Sequence, residues 1–214
     1  MLPYPAVLFD LDGTLLDSVA LTLGSLRHTL LEHGLPIRAD AEILAGIGTP
    51  LCEQLEGWAT PDAPLPRLIA TYRTHHRMHH DAMARPYPGV CDVVAELAAL
   101  GGRLGLVTNK GRAGAERGLA ILELAQCFEV IASDTGLGEP PRSLVDHAVA
   151  MLGGDRHQTL FIGDRVHDIE AGRAAGVRTA AVLWGPFPVS ALERAEPDFL
   201  VADAAELRAL VGVG

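Results

Sequence analysis

The composition of this 214-residue chain indicates an ordered protein with a sizeable core, because 49% of its residues are hydrophobic. Its formal net charge of -10 argues against nucleic acid or an anionic membrane surface as a partner. The apolar runs are all too short to cross a membrane. Cys52, Cys91 and Cys127 fit neither a disulfide framework nor a zinc spacing, so we predict a cytoplasmic protein in which they pack as small core residues.

The first predicted element is a buried strand at residues 6–10 that ends in a polar segment. That segment reads Asp10-Leu11-Asp12-Gly13-Thr14-Leu15-Leu16-Asp17-Ser18. Two carboxylates on either side of one residue repel each other unless a cation lies between them, so one interpretation is an oxygen-ligated metal site. Asp-Gly is also a common turn signal, and an acidic turn is the other interpretation.

The next stretch, residues 17–85, carries a helical pattern without a convincing strand. Gly and Pro residues separate its apolar segments, which is typical of a small unit of several helices. The predicted helices are Val19–His33, Ala41–Ala45, Leu51–Trp58 and Pro66–Met83. Such an insert after the first strand can cover the strand ends as a lid.

From residue 86 onward, short apolar strands alternate with helices. The predicted strands are Leu104–Val107, Val130–Ala132, Leu160–Ile162 and Thr179–Leu183, and the predicted helices are Val90–Leu100, Ala113–Leu122, Leu144–Leu152 and Ile169–Ala175. This alternation predicts an α/β fold, a doubly wound parallel sheet with helices on both faces. We therefore predict a core domain from residues 1–16 and 86–214 and an inserted α-helical cap from residues 17–85.

Three further polar clusters lie just beyond predicted strands. They are Thr108-Asn109-Lys110, the stretch Glu139-Pro140-Pro141-Arg142, and Gly163-Asp164-Arg165-Val166-His167-Asp168. Parallel strands place these clusters at the same edge of the sheet as Asp10 and Asp12. Each cluster alone could be a capped turn, but four of them at one edge predict a site.

These motifs, in this order and at these distances, resemble the haloacid dehalogenase-like hydrolase superfamily. The helical insert is similar to the cap of its subclass with a helical lid, and Thr-Asn-Lys, Tyr-Pro-Gly-Val at 87–90 and the chain length are most similar to phosphoglycolate phosphatases. The resemblance implies an Mg2+-dependent phosphatase with a Rossmann-like core that hydrolyses a small phosphorylated metabolite.

The resemblance also implies roles for the polar residues. Asp10 is the nucleophile that forms an aspartyl phosphate, and Asp12 is the general acid and base. Mg2+ is held by the Asp10 side chain, the Asp12 backbone carbonyl and the Asp164 side chain, with Asp168 as a supporting carboxylate. Thr108 and the backbone amide of Asn109 bind the phosphate, together with Lys110.

Three of these assignments have a simpler structural alternative. Asp168 and Thr108 are also placed to cap the helices that follow them. Lys110, the only lysine of the chain, is in a loop where a lysine is commonly just exposed.

The third family motif departs from its usual form. The family has a lysine there, in a Lys-Pro-x-Pro context, whose ammonium contacts nucleophile and phosphate, whereas this chain has Glu139 and, at the second proline, Arg142. A glutamate would repel the phosphate. Three explanations are open: Arg142 supplies the cation, Lys110 or Arg112 does so from the neighbouring loop, or the protein binds its ligand with little or no turnover.

Two alternatives to a phosphatase therefore remain at this stage. A sugar-phosphate mutase uses the same two aspartates, and a non-catalytic binding protein would tolerate Glu139. Asp12 argues against the dehalogenase branch, which lacks that second aspartate. The histidines at 75–80 are either a divalent-metal site or a solvated helix face. The sequence leaves the substrate and the oligomeric state open.

Overall fold

The computed structural model describes residues 2–46, 49–134 and 141–214, and for residues 134 and 141–143 it describes the backbone only. The chain divides into two compact units, Met1–Asp17 with Arg85–Gly214 and Ser18–Ala84. The elements in chain order are β1 Ala6–Phe9, β2 Leu16–Asp17, α1 Val19–Glu32, α2 Asp40–Ala45, α3 Leu51–Glu56, α4 Leu65–Met83, β3 Arg85–Pro86, α5 Val90–Ala99, β4 Arg103–Gly111, α6 Arg112–Ile121, β5 Val130–Asp134, α7 Pro141–Leu152, β6 Thr159–Gly163, α8 Val166–Ala175, β7 Arg178–Val182, α9 Val189–Arg194, β8 Phe199–Val201 and α10 Ala204–Val211.

The larger unit is built on a six-stranded parallel sheet with the strand order β5-β4-β1-β6-β7-β8. Strand β1 is central and wholly buried, which explains why all four of its residues are apolar. The backbone N–H of Asp10 donates to the carbonyl of Ile162 at 2.9 Å and extends the pairing of β1 with β6 by one residue. The carboxyl ends of the central strands therefore lie side by side.

Helices α7 and α8 cover one face of this sheet. Leu8 and Phe161 point to that face and share a buried apolar cluster with Ala148, Val149 and Ala171. Side chains alternate along a strand, so Phe9 points to the opposite face, where its ring meets Phe128 edge to face at 6.2 Å. Both faces of the central strand are thus packed, as a doubly wound sheet requires.

The smaller unit is helical. Its buried core brings one apolar residue from each of α1, α2, α3 and α4 into one cluster, namely Leu26, Ile43, Leu55 and Leu68. Leu23, Leu65 and Trp58 pack against this cluster. Gly and Pro residues lie between these helices in the structure, as the sequence pattern predicts.

The predicted fold class is confirmed, and the predicted helices and strands are present with ends that differ by up to four residues. The sequence analysis missed α9, β8 and α10, and it missed the antiparallel pairing of β2 with β3 at the two ends of the insert. Its placement of the cysteines in the core is wrong, because Cys52 is exposed and the other two are half-buried. None of the described helices is long and apolar enough to span a membrane.

Candidate active site

The residues that follow β1 form a tight turn at the carboxyl end of the central strand. Asp10 is 1% exposed, and Gly13 turns the chain with φ +96°. A side chain at Gly13 would collide with Asp164, because its Cβ would lie 2.2 Å from Asp164 Oδ2. Glycine at this position therefore supplies both the left-handed backbone and the space for a neighbouring carboxylate.

Three buried carboxylates meet at this edge of the sheet: those of Asp10, Asp164 and Asp168. One oxygen from each lies within 4.8 Å of the other two. Asp164 Oδ1 accepts a hydrogen bond from the Thr14 hydroxyl at 3.2 Å, but its buried Oδ2 has no hydrogen-bond partner among the described residues. Three oxygen donors with one unsatisfied oxygen match the ligands that hard divalent cations prefer, so the cluster fits a metal site.

Arg165 places a guanidinium among the same three carboxylates. Its Nη2 donates to Asp10 Oδ2 at 2.9 Å, and its Nε lies 3.8 Å from Asp164 Oδ1 and 3.6 Å from Asp168 Oδ2. The side chain is 7% exposed. Asp168 Oδ2 also accepts from the backbone N–H of Arg165, so Asp168 caps the start of α8 while facing the cluster.

Burial and mutual repulsion change the protonation of the cluster. Burial raises the pKa of Asp10 to about 7, with Asp168 and Asp12 adding to the rise and Arg165 opposing it. Burial likewise raises the pKa of Asp164 and Asp168, again against the effect of Arg165. Burial alone would lower the pKa of Arg165, but the surrounding carboxylates raise it. Without a metal ion, the cluster therefore favours retaining protons on its acids.

Asp12 belongs to a separate ion pair with Lys110. Nζ of Lys110 lies 2.8 Å from Asp12 Oδ1, and the lysine side chain is 15% exposed. Lys110 is therefore not a solvated surface lysine, and its ammonium lies next to the predicted acid and base. Arg112, the other loop cation considered above, is largely exposed and pairs with Glu116 at 2.6 Å.

Thr108 and Asn109 line the same pocket as Asp10, together with His167 and Asp168. The hydroxyl of Thr108, which is buried, accepts from the backbone N–H of Lys110 at 3.2 Å. This bond belongs to an irregular end of β4, where the register with β5 shifts between Thr108 and Gly111. The helix cap that the sequence analysis considered for Thr108 is wrong, because α6 begins at Arg112 after Gly111 and its N-cap makes no side-chain hydrogen bond. Thr108 instead lies in β4 and lines the pocket with Asp10.

Two aromatic residues beside the site had no predicted role there. Trp184 Nε1 donates to the carbonyl of Thr14 at 3.0 Å, and its ring lies 6.2 Å from that of Tyr87. Burial and the charges of Asp17, Asp164 and Asp12 raise the pKa of Tyr87, which keeps its hydroxyl protonated near the acids. Trp184 thus holds the loop that carries Thr14.

The structure brings most of the predicted site residues together, and one residue and one side chain of the third motif lie outside what it describes. Asp10, Asp164 and Asp168 converge, Thr108 and Asn109 share their pocket, and Lys110 contacts Asp12. Glu139 and the side chain of Arg142 lie outside the described residues, so the predicted role of Arg142 stays a prediction. The sequence analysis assigned no role to Arg165, because its spacing from Asp164 and Asp168 does not by itself show that the guanidinium is buried among the carboxylates.

Comparisons with known proteins agree with this geometry. The family model described as haloacid dehalogenase-like hydrolase matches residues 7–182. A protein of Anoxybacillus flavithermus named pyrophosphatase PpaX is 36% identical over 97% of this chain and 96% of its own length.

Solved structures share the fold over nearly the whole chain. The Mycobacterium tuberculosis protein named protein tyrosine kinase A is 30% identical, covers 98% of this chain and 99% of its own, and has a TM-score of 0.81. A predicted phosphoglycolate phosphatase of Haemophilus somnus is 24% identical, covers 98% of this chain and 99% of its own, and has a TM-score of 0.85. The resemblance drawn from the motifs is confirmed, and the chain belongs to the haloacid dehalogenase-like hydrolase family.

Proposed function

We propose that the protein is an Mg2+-dependent phosphatase that hydrolyses a small phosphorylated metabolite through an aspartyl phosphate on Asp10. One observation carries the proposal. Asp10 directly follows the central strand, lies beside two further buried carboxylates and lines a pocket with Thr108 and Asn109. A nucleophile, a candidate cation site and candidate donors to phosphate are thus close together, which is what phosphoryl transfer needs.

In the first half-reaction, a carboxylate oxygen of Asp10 attacks phosphorus, and the bond from phosphorus to the leaving oxygen breaks. Asp12 gives its proton to that oxygen. In the second half-reaction, Asp12 takes a proton from water, and the resulting hydroxide cleaves the aspartyl phosphate to release phosphate and restore Asp10. Lys110, which is paired with Asp12, holds that carboxylate in place.

Asp10, the Asp12 backbone carbonyl and Asp164 would hold Mg2+, with Asp168 as a supporting carboxylate. When bound, Mg2+ neutralises the charge on the phosphoryl oxygens. The Thr108 hydroxyl and the Asn109 backbone N–H would donate to the remaining oxygens. Arg142 keeps its predicted role as a further cation near the phosphate.

The substrate proposal is a small compound with one transferable phosphoryl group. The relative named pyrophosphatase makes inorganic pyrophosphate the first phosphoanhydride to test. Phosphoglycolate, expected from the motifs, is the first monoester. Both are small anions, and the net charge of -10 on the chain repels them. Binding either one therefore requires cations at the site itself.

The test is phosphate release by the purified full chain with MgCl2 from p-nitrophenyl phosphate, pyrophosphate and phosphoglycolate. We expect release that Asp10→Asn lowers by at least about a thousandfold, because an amide cannot form the acyl phosphate. Asp155→Asn is the matched control, since Asp155 precedes the amino end of β6, at the opposite edge of the sheet. We expect it to retain full activity.

Both alternatives predict little or no phosphate release in this assay. A mutase would isomerise a sugar phosphate only with a bisphosphate activator and would release little phosphate. A binding protein would release no more phosphate than Asp10→Asn from any of the three compounds. Either result would overturn the phosphatase proposal.

A further inference from the structure

Arg165 occupies the region where the carboxylate cluster would bind a cation. It contacts Asp10 directly, and its Nε faces both Asp164 and Asp168 at under 4 Å. One guanidinium against three carboxylates leaves two negative charges uncompensated when all three acids are ionised. The arginine therefore neutralises part of the charge that a divalent ion would neutralise.

The hydrogen bonding of the cluster is incomplete. Among the described residues, both Asp164 Oδ2 and Arg165 Nε are buried without a hydrogen-bond partner. Buried polar atoms are normally satisfied, because leaving them unpaired costs free energy. A pairing that leaves one atom of each partner unsatisfied is one that a competing cation can replace.

We propose that Arg165 is a positioning residue that holds the three carboxylates together in the metal-free protein and competes with the divalent cation for them. It thereby lowers the affinity of the site for Mg2+. This inference rests on the proposed function in one respect, that the cluster is where Mg2+ binds. The guanidinium keeps its charge at all working pH values, so the competition is permanent.

Calorimetric titration of the metal-free full chain with MgCl2 tests the inference. In Arg165→Gln the charge is lost while a polar side chain remains, and we expect the Kd for Mg2+ to fall at least about tenfold. Arg178→Gln is the matched control, because it also removes an arginine paired with an aspartate, Asp198, at the opposite edge of the sheet. We expect its Kd to equal that of the unchanged protein.

An Mg2+ affinity of Arg165→Gln that is equal to or weaker than that of the unchanged protein would overturn the inference, as would failure of both proteins to bind Mg2+. A variant that folds only with Mg2+ supports it, because the ion then replaces the arginine. If the glutamine variant does not fold at all, Arg165→Lys carries the test. It keeps the charge with fewer donors, and affinity tenfold weaker than that of the unchanged protein would contradict competition.

Phosphate release by the same samples separates this inference from the proposed function. Release by the unchanged protein together with an unaltered Kd in Arg165→Gln would reject the inference and leave the phosphatase proposal intact. A lower Kd for Mg2+ in Arg165→Gln, together with no hydrolysis of the three compounds by the unchanged protein, would support the inference and reject the phosphatase proposal.

Discussion

Gly13 shows how a single backbone position makes room for the carboxylate site. We expect Gly13→Ala to lower the free energy of unfolding by about 1–3 kcal/mol from the left-handed backbone alone. The collision of the new Cβ with Asp164 adds to this loss and moves that carboxylate, so phosphatase activity falls as well. Urea unfolding and phosphate release measure the two effects.

Gly101 provides the control for Gly13. It has a similar φ of +84°, yet a Cβ there would meet nothing within 4 Å. Gly101→Ala should therefore show the backbone cost without the loss of activity. Equal activity in the two alanine variants would show that the contact with Asp164 is unimportant.

At the residue scale, the acids were predictable and the cation was not. Asp10, Asp12, Asp164 and Asp168 follow apolar runs, so their residue types and the strand ends were enough to bring them to one edge. The direction taken by a long flexible side chain is not contained in such a pattern. Arg165 was therefore overlooked.

At the element scale, helices α1 and α4 are joined by stacked histidines. His28 and His75 stack with ring centroids 4.3 Å apart, and His75 lies at the same distance from His79 one turn later. Ser25, which is buried on α1, is hydrogen-bonded to His75 Nδ1 at 3.1 Å. Among the described residues, these histidines do not form a cluster with converging ligand atoms, so the geometry favours packing over a metal site.

We expect this helical unit to lose stability in acid. Burial and the neighbouring His28 and His79 lower the pKa of His75 below 6.5. The unfolded chain then binds more protons than the folded one below pH 6.5, so the free energy of unfolding falls as the pH drops through that value. Thermal unfolding at pH 7.5 and 5.5, followed through Trp58 in a Trp184→Phe background, measures the change.

His75→Gln should reduce this pH dependence, and His157→Gln, which alters an exposed histidine of the other unit, should not. An unaltered pH dependence in His75→Gln would show that other groups cause it.

The elements that were predicted well are those with strong periodicity and burial. Helix α1 has a long periodic pattern, and strand β1 is wholly apolar. Strand β8 is the outermost strand of the sheet and has only three residues, of which Leu200 is substantially exposed. Helix α9 has only six residues. Such short elements are stabilised by the sheet beside them rather than by their own sequence, so a local pattern does not reveal them.

At the scale of the whole molecule, the sequence predicted the α/β class and the insertion, because the change from helical to alternating pattern occurs near residue 86. The positions of the two units in the chain follow from that change. That the helical unit acts as a lid over the site remains a prediction. It depends on long-range packing that local periodicity does not encode.

The stability of the whole protein should depend on pH and metal together. Burial raises the pKa of Asp10 to about 7 and also raises those of Asp164 and Asp168, so the folded state binds more protons than the unfolded state above about pH 4. The free energy of unfolding of the metal-free protein should therefore fall as the pH rises from about 4 to 7. Mg2+ binds the ionised carboxylates, so its stabilising effect should grow over the same range. Thermal unfolding followed through Trp184 in a Trp58→Phe background, at pH 5 and 8 with EDTA or saturating MgCl2, measures both trends. Asp168→Asn should weaken them, and an Mg2+ effect that is larger at pH 5 than at pH 8 would contradict a metal site built from these acids.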